Sequence, residues 1–400
     1  LRNSNVAEKT LETYDFDLAR FWDPEKFASV KSFAETKETP LLLISLDVVR
    51  RKFEDLRAQL PFAKIFYALK ANPMKEIILL LHELGSNFDT ASRYEIDMLL
   101  GLGVSPDRIS FGNTIKKAAD IAYAHRKGVR TFATDSFDDL HKIAENAPGS
   151  RVFFRILTEG TGSDWPLSRK FGAHPDLLYS LILECPRLGL LPYGLSFHVG
   201  SQQRDIGQWD SSISHCKYLF DSAAAKGIQL SMINLGGGLP ANYLEPTLTQ
   251  EEYTTEIHRF LTEDFGEKLP EIWIEPGRSL VADAGVLVTE IVLIANKSRS
   301  RQDRWVFVDA GVFGGLIETL GESIRYPVYF DKTGPTEMVI LAGPTCDSMD
   351  IMYERAKVPM PAGARAGDRV YFFTAGAYTQ SYSSVGFNGF PPLKSCVLPE

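Results

Sequence analysis

Lys70 closes an apolar, β-like run, Ala63-Lys-Ile-Phe-Tyr-Ala-Leu-Lys70, and Ala71-Asn72-Pro73 follows at once. An ammonium at the end of a strand entering a buried sheet is costly unless paired, and a low-dielectric site lowers its pKa. A lysine so placed can form a Schiff base with an aldehyde. An ordinary surface lysine just past a strand end is the plainer alternative. Two further groups bear on the choice. Asn234-Leu-Gly236-Gly237-Gly238 follows another apolar run. Successive glycines let backbone N–H groups close on an anion, although a tight turn would use them equally well. Glu275-Pro276-Gly277-Arg278-Ser279 closes the next unit, and Arg278 there can clamp a phosphate. Glu275 ends Ile272-Trp-Ile-Glu275, where a carboxylate needs a partner or takes up a proton. A protonated pyridine nitrogen is one such partner; a structural ion pair with Arg155 or Arg278 is another.

These groups need a frame that gathers strand ends. From about Leu41 to Pro276 short β-like runs alternate with amphipathic segments such as Met74 to Leu84 and Glu95 to Gly103. The predicted strands are Ile65 to Leu69, Ser86 to Thr90, Arg108 to Phe111, Thr131 to Ala133, Val152 to Ile156, Gly194 to Val199, Met232 to Leu235 and Ile272 to Glu275. Eight βα units close naturally into a (β/α)8 barrel, with a doubly wound open sheet as the competing fold. The strand ends carry Lys70, Asp89, Asn113, Asp135, Arg155, His198, Gly236 to Gly238 and Glu275. In a barrel all of these face one mouth.

After Arg278 the texture changes to β-branched and aromatic runs: Gly285 to Ala295, Arg304 to Asp309, Glu337 to Ala342, Asp368 to Phe373 and Leu393 to Leu398. The expected organisation is an α/β barrel over residues 41–280 and a mostly antiparallel β domain built from 1–40 and 281–400. At 44% hydrophobic and 24% charged, the composition is that of a soluble globular protein. The net charge of -8 lacks the basic surface that nucleic-acid binding requires. Cys185, Cys216, Cys346 and Cys396 are scattered, with neither a zinc pattern nor a disulfide framework, which suits a reducing cytoplasmic setting. Leu1 to Glu8 do not read as a signal peptide, and no apolar stretch reaches membrane-span length.

Six motifs occur in one order: Tyr67-Ala-Leu-Lys70-Ala-Asn-Pro73, Ser196-Phe-His198-Val-Gly-Ser201, Gly236-Gly-Gly238, Glu275-Pro-Gly-Arg278, Gly343-Pro-Thr-Cys346-Asp347 and Ala375-Gly-Ala-Tyr378. This order resembles the pyridoxal-phosphate-dependent basic amino acid decarboxylases of the alanine-racemase-like barrel type, most of all the bacterial ornithine decarboxylases. The likeness runs from about Leu41 to Phe390. It implies pyridoxal 5'-phosphate as cofactor and Lys70 as the Schiff-base lysine. Asp89 and Arg155 match residues that buttress the cofactor, and His198 resembles the imidazole stacked on its ring. Ser201, Gly236 to Gly238, Gly277, Arg278 and Tyr378 resemble the phosphate cradle, and Glu275 the partner of the ring nitrogen.

In the same family Cys346 would help protonate the substrate α-carbon and Asp347 would bind the distal ammonium, both from the partner subunit of a homodimer. Lys170 and Asp350 match an inter-subunit ion pair, and Phe387-Asn388-Gly389-Phe390 resembles a loop lining the substrate pocket. One departure stands out. Counting from Gly311-Val-Phe-Gly314, Glu322 occupies the place of an aspartate in eukaryotic members. The side chain is one methylene longer, about 1.5 Å in reach, which bears on which diamine length fits. The implied reaction is decarboxylation of L-ornithine to putrescine and CO2. Dual lysine/ornithine, diaminopimelate or arginine decarboxylation, or a catalytically silent regulatory homologue, are the alternatives. No metal and no membrane or nucleic-acid partner is expected.

Overall fold

All eight predicted barrel strands form, and they close. A computed structural model of the chain describes residues 13–165, 169–299 and 303–399. Among them Ala63–Ala68, Asn87–Thr90, Ile109–Phe111, Thr131–Thr134, Arg151–Arg155, Leu191–Ser196, Met232–Asn234 and Glu271–Ile274 pair in parallel, in chain order, into a closed barrel. Most strands have a short apolar centre because both faces are covered, by helices outside and side chains within. The interior is filled by Phe66, Ala133, Phe153, Met232 and Trp273, with Tyr193 against them. Phe66 and Trp273 stack with centroids 3.9 Å apart. At the strand starts Glu271 accepts hydrogen bonds from Trp273 Nε1 at 2.7 Å and Tyr193 Oη at 2.8 Å and pairs with Lys64. That cluster closes the end of the barrel opposite the expected site.

The helices begin where side chains can satisfy their first amides. Ser92 Oγ accepts from Glu95 N ahead of Arg93–Gly101, and Ser136 Oγ from Asp139 N ahead of Phe137–Asn146. Thr249 and Glu252 form a capping box at Gln250–Phe265. No helix among the described residues is long and apolar enough to cross a membrane.

The barrel unit spans Ser45–Ala284, and the other unit joins the residues up to Ile44 with those from Gly285 on. This moves one expected boundary. Leu41–Ile44, assigned to the barrel from sequence, pairs antiparallel with Gly285–Val288 and parallel with Lys394–Val397. All four of its residues are buried, so the run looks like a barrel strand; its partners are fixed only by tertiary contacts.

The β unit's sheet runs Val328–Phe330, Arg369–Phe372, Gly285–Asn296, Arg304–Val308, Thr336–Ala342, Ile351–Pro361. Most pairs are antiparallel; Arg304–Val308 with Thr336–Ala342 is parallel. Helix Pro24–Glu35 lays Phe27, Val30 and Ala34 against Leu41, Leu43, Val286, Val288, Tyr371 and Phe373. Within the expected β-domain segment 1–40, residues 1–12, including the stretch weighed as a signal peptide, lie outside the described residues. Two strands of this unit had no sequence signal strong enough to predict them. Val328–Phe330 is three residues long, and Ile351–Pro361 carries Glu354, Arg355, Lys357 and two prolines.

Candidate active site

Lys70 lies in a single 3-10 turn, Leu69–Ala71, directly after strand Ala63–Ala68. The turn buries Leu69 and Ala71 and leaves Lys70 exposed at the mouth. The expectation of a strand ending on a buried ammonium is therefore corrected: the apolar neighbours take the inward positions. Tyr67 Oη donates to Asn72 O at 2.9 Å and Asn72 Oδ1 accepts from Met74 N at 3.0 Å, which fixes the exit of the turn. Ala68 N donates to Pro276 O at 3.0 Å, tying the turn to the Glu275–Arg278 loop. A Cβ on Gly277 would lie 2.9 Å from Ala71 Cβ, so glycine is what lets the two loops touch.

Charges converge beside this turn. Asp89 is buried at the end of its strand and accepts from Ser110 Oγ at 2.8 Å. A Cβ on Gly112 would overlap its carboxylate. Burial first, then the Glu275 charge, push the Asp89 carboxyl well above its usual range, against the pull of Lys70 and Ser110. Burial also raises the half-buried Glu95, whose Oε2 accepts from Ala91 N at 2.6 Å, while Lys70 again opposes. Arg155, ending strand Arg151–Arg155, is lowered by burial and supported by Glu275, Asp135 and Asp89. Its guanidinium lies 4.9 Å from the Phe171 ring centroid, and Lys170 Nζ lies 5.1 Å from the same centroid.

His198 and Glu275 have fixed orientations. His198 Nδ1 accepts from Gly200 N at 3.1 Å, so a neutral ring carries its proton on Nε2. Burial, Lys70 and Arg155 hold its pKa well below the ordinary value. Asn234, fully buried, accepts from Gly236 N through Oδ1 at 2.9 Å and donates to Glu275 Oε1 at 2.5 Å through Nδ2. The carboxylate is thus aimed by the same residue that opens the glycine turn.

The anion cradle is built of backbone and one buried cation. A Cβ on Gly236 would lie 2.1 Å from Phe197 O, and one on Gly237 2.7 Å from Glu275 O. Arg278 is buried; Nε and Nη2 donate to Ser201 Oγ at 3.1 and 3.0 Å, and Nη1 to Tyr243 Oη at 2.7 Å. Ser201 starts the short strand Ser201–Gln203, which pairs with Ser163–Trp165.

The remaining predicted residues lie in the β unit. Cys346 is exposed, and its backbone N donates to Asn388 Oδ1 at 2.7 Å. Phe387 packs on Phe313 with centroids 4.7 Å apart, and Asp347 Oδ1 accepts from Met349 N at 2.8 Å. The Cys346-Asp347 and Phe387-Asn388 loops, joined by a bond spanning 42 residues of sequence, therefore form one cluster. Tyr378 has a φ of 58° and its ring lies 5.5 Å from that of Tyr382. Two of the expected residues have partners within their own unit. Asp350, expected to pair with Lys170 across subunits, is buried within its own unit and accepts from Val312 N at 2.8 Å, Thr345 N at 3.0 Å and Thr345 Oγ1 at 2.7 Å. Glu322, expected to read the substrate, is held by backbone amides of Ile351–Pro361.

The pyridoxal-binding domain of the pyridoxal-dependent decarboxylases matches residues 46–282, most of the chain. The chain belongs to this decarboxylase family. The lysine/ornithine decarboxylase of Selenomonas ruminantium is 33% identical over 366 residues, covering 90% of each chain. Antizyme inhibitor 2 of Xenopus laevis is 33% identical over 358 residues, covering 86% of this chain and 77% of its own. Among solved structures, SrLDC in complex with PLP and cadaverine superposes with a TM-score of 0.84 at 29% identity, covering 97% of this chain and 95% of that one.

Pyridoxal 5'-phosphate is the cofactor of this decarboxylase family, and the barrel mouth fits it. The glycine turn with no room for a Cβ and the buried Arg278 suit a phosphate, and the exposed amine of Lys70 suits its aldehyde. Glu275, aimed by Asn234, suits a protonated ring nitrogen. Sequence reasoning missed Glu95, Ser110, Tyr243 and the aiming role of Asn234. The Ser92-x-x-Glu95 spacing signals a helix cap and could have drawn attention to Glu95. Tyr243 sits in a loop with no such signal.

Proposed function

We propose that this decarboxylase converts L-ornithine to putrescine and CO2, from active sites shared between two copies of the chain. The observation that carries the reading is the Glu275 carboxylate, aimed by Asn234 beside the glycine cradle. When bound, the cofactor supplies the electron sink for loss of the α-carboxylate. Glu275 would keep a proton on its ring nitrogen, Arg278, Ser201 and the 236–238 amides would hold its phosphate, and Lys70 Nζ would anchor its aldehyde carbon. His198, neutral with its proton on Nε2, presents a flat uncharged face at the mouth. The Cys346 thiol delivers a proton to the α-carbon after CO2 departs, and Asp347 accepts the distal ammonium. A pocket carboxylate left without its ammonium is costly, which favours diamino acids over apolar ones.

The shared site is supported by the exposed apolar side chains on the loops that carry Cys346 and Asn388. Met349, Val385 and Phe390 all face solvent in the single chain, as residues awaiting a second copy would. A second reading, dual lysine/ornithine decarboxylation, is supported by Glu322, whose engagement with backbone leaves a single loop carboxylate to sense substrate length.

The test is CO2 release from L-ornithine, L-lysine, L-arginine and diaminopimelate. Ornithine is expected to give the highest kcat/KM, with lysine second. Highest turnover of diaminopimelate or arginine, or no CO2 from any of the four, overturns the reading. A silent homologue would also lack the yellow absorption band that borohydride abolishes and that Lys70→Ala should lose.

A further inference from the structure

The strand Ile351–Pro361 is not regular. Its ladder with Thr336–Ala342 pairs Val339 with Val358 and then Leu341 with Tyr353. One strand advances two residues while the other advances five. Residues 354–357 therefore bulge, and their amides leave the ladder. Backbone donors that leave a ladder take water or a side chain as partner, and here the partner is a side chain. Glu322 Oε1 accepts from Glu354 N at 2.9 Å and from Arg355 N at 2.7 Å; Ala356 N lies 3.3 Å from both oxygens. Arg355 Nε stands 3.5 Å from Oε2. Most of these bonds fall on Oε1, while Oε2 shares the Ala356 amide and faces the Arg355 charge.

The backbone bends to make this possible. Gly321 and Glu322 have φ of 65° and 61°. Glycine adopts that region freely, but glutamate does so only when something holds it. Tyr353 adds a second tie: its hydroxyl donates to Ile324 O at 2.9 Å and accepts from Tyr326 N at 2.8 Å. The clamped strand begins directly after Asp350, whose carboxylate gathers Val312 N and Thr345, the residue before Cys346. The turn 317–326, the bulge and the Cys346-Asp347 loop are thus linked by two carboxylates that both bind main chain.

We infer that Glu322 is a positioning residue, a half-buried carboxylate that holds the 354–356 bulge and through it the loop bearing Cys346 and Asp347, and that the substrate's distal ammonium is read by Asp347 without it. The second half rests on the decarboxylase reading; the first does not. Ornithine and lysine then differ only in how far their ammonium reaches toward one carboxylate, so discrimination between them is shallow.

The experiment uses the cofactor-loaded protein with Glu322→Gln, Glu322→Asp and, as comparator, Asp347→Asn. Glutamine brings an NH2 group against backbone donors, and aspartate is too short to span to the bulge. Both are expected to lower the Tm by about 3–6 °C and to reduce kcat for ornithine and lysine alike, leaving the ratio of their kcat/KM within about twofold. Asp347→Asn is expected to raise KM for both by about tenfold or more with the Tm unchanged. If Glu322→Gln leaves the Tm unchanged and raises KM as Asp347→Asn does, the inference falls. Should neither Glu322 variant fold, hydrogen exchange on the wild-type protein decides: slow exchange at the Glu354, Arg355 and Ala356 amides supports the clamp, and solvent-like exchange overturns it. The Tm and exchange measurements need no substrate, so failure of the clamp is separable from failure of the decarboxylase reading.

Discussion

His198 Nδ1 accepts from Gly200 N, and a protonated ring would lose that bond and stand beside Lys70 and Arg155. Its folded-state pKa lies well below 6.5. In the unfolded chain the ring binds a proton near pH 6.5 while the folded chain does not. Stability is therefore fully present above about pH 6.5 and falls as pH drops below it, at most by about 1.4 kcal/mol per pH unit. Asp89 acts in the opposite sense, since its raised folded pKa favours folding at low pH. The informative quantity is thus the difference between wild type and His198→Asn in urea unfolding of the cofactor-free protein from pH 5 to 7.5. Wild type should lose stability relative to the variant as pH falls; parallel curves would show that the imidazole titrates normally. The residue types of this site were legible because strand ends in a barrel share a mouth. Their ionisation was not, because the Lys70, Asp89, Glu95, Arg155 and Glu275 charges act on one another only once the strands are in register.

Between elements, the bond that sequence could least foresee is Lys116 with Asp139. Lys116 follows strand Ile109–Phe111 in a polar loop and reads as a surface charge. In the fold its ammonium is buried and donates to Asn113 O at 2.8 Å, Ala133 O at 2.7 Å and Asp139 Oδ2 at 2.7 Å. Burial lowers the Lys116 pKa and raises that of Asp139, while each charge supports the other. The pair joins two neighbouring βα loops beside Asp135, which accepts from Gly172 N at 2.8 Å. Removing one partner strands a buried charge. Lys116→Met should cost about 3–5 kcal/mol in urea unfolding, and Lys116→Met with Asp139→Leu should recover most of it. Equal losses in the single and double variants would show that the ammonium's carbonyl bonds, not the ion pair, matter most. The same contrast governs the fold. The eight barrel strands were legible because burial on both faces gives most of them an apolar centre, as in Ala63–Ala68 and Arg151–Arg155. Leu41–Ile44 showed the same pattern and was misassigned, and Ile351–Pro361 was missed because its bulge, charges and prolines are satisfied by tertiary partners such as Glu322.

At the scale of the whole molecule, the residues of the proposed chemistry are divided between two units of one chain. Lys70, the cradle and Glu275 belong to Ser45–Ala284, while Cys346, Asp347 and Asn388 belong to the unit built from both chain ends. The family resemblance assigns the second group to the pocket of another copy, and exposed Met349, Val385 and Phe390 on its loops fit a surface that a second copy covers. Two variants test this directly. Lys70→Ala and Cys346→Ala should each lose nearly all decarboxylation when pure. Dissociated, mixed in equal amounts and reassembled, the proposed dimers would be mixed in half of the cases. In each mixed dimer one pocket holds both lesions and the other holds neither. Mixing should therefore restore about a quarter of wild-type activity, as expected for a two-fold assembly with complementary contributions. If each chain built its site alone, every pocket in the mixture would carry one lesion and activity would stay at the level of the pure variants. The recovered fraction also distinguishes a shared site from incidental contact, because only exchange of intact halves gives a gain that follows the proportion of mixed dimers as the mixing ratio is varied.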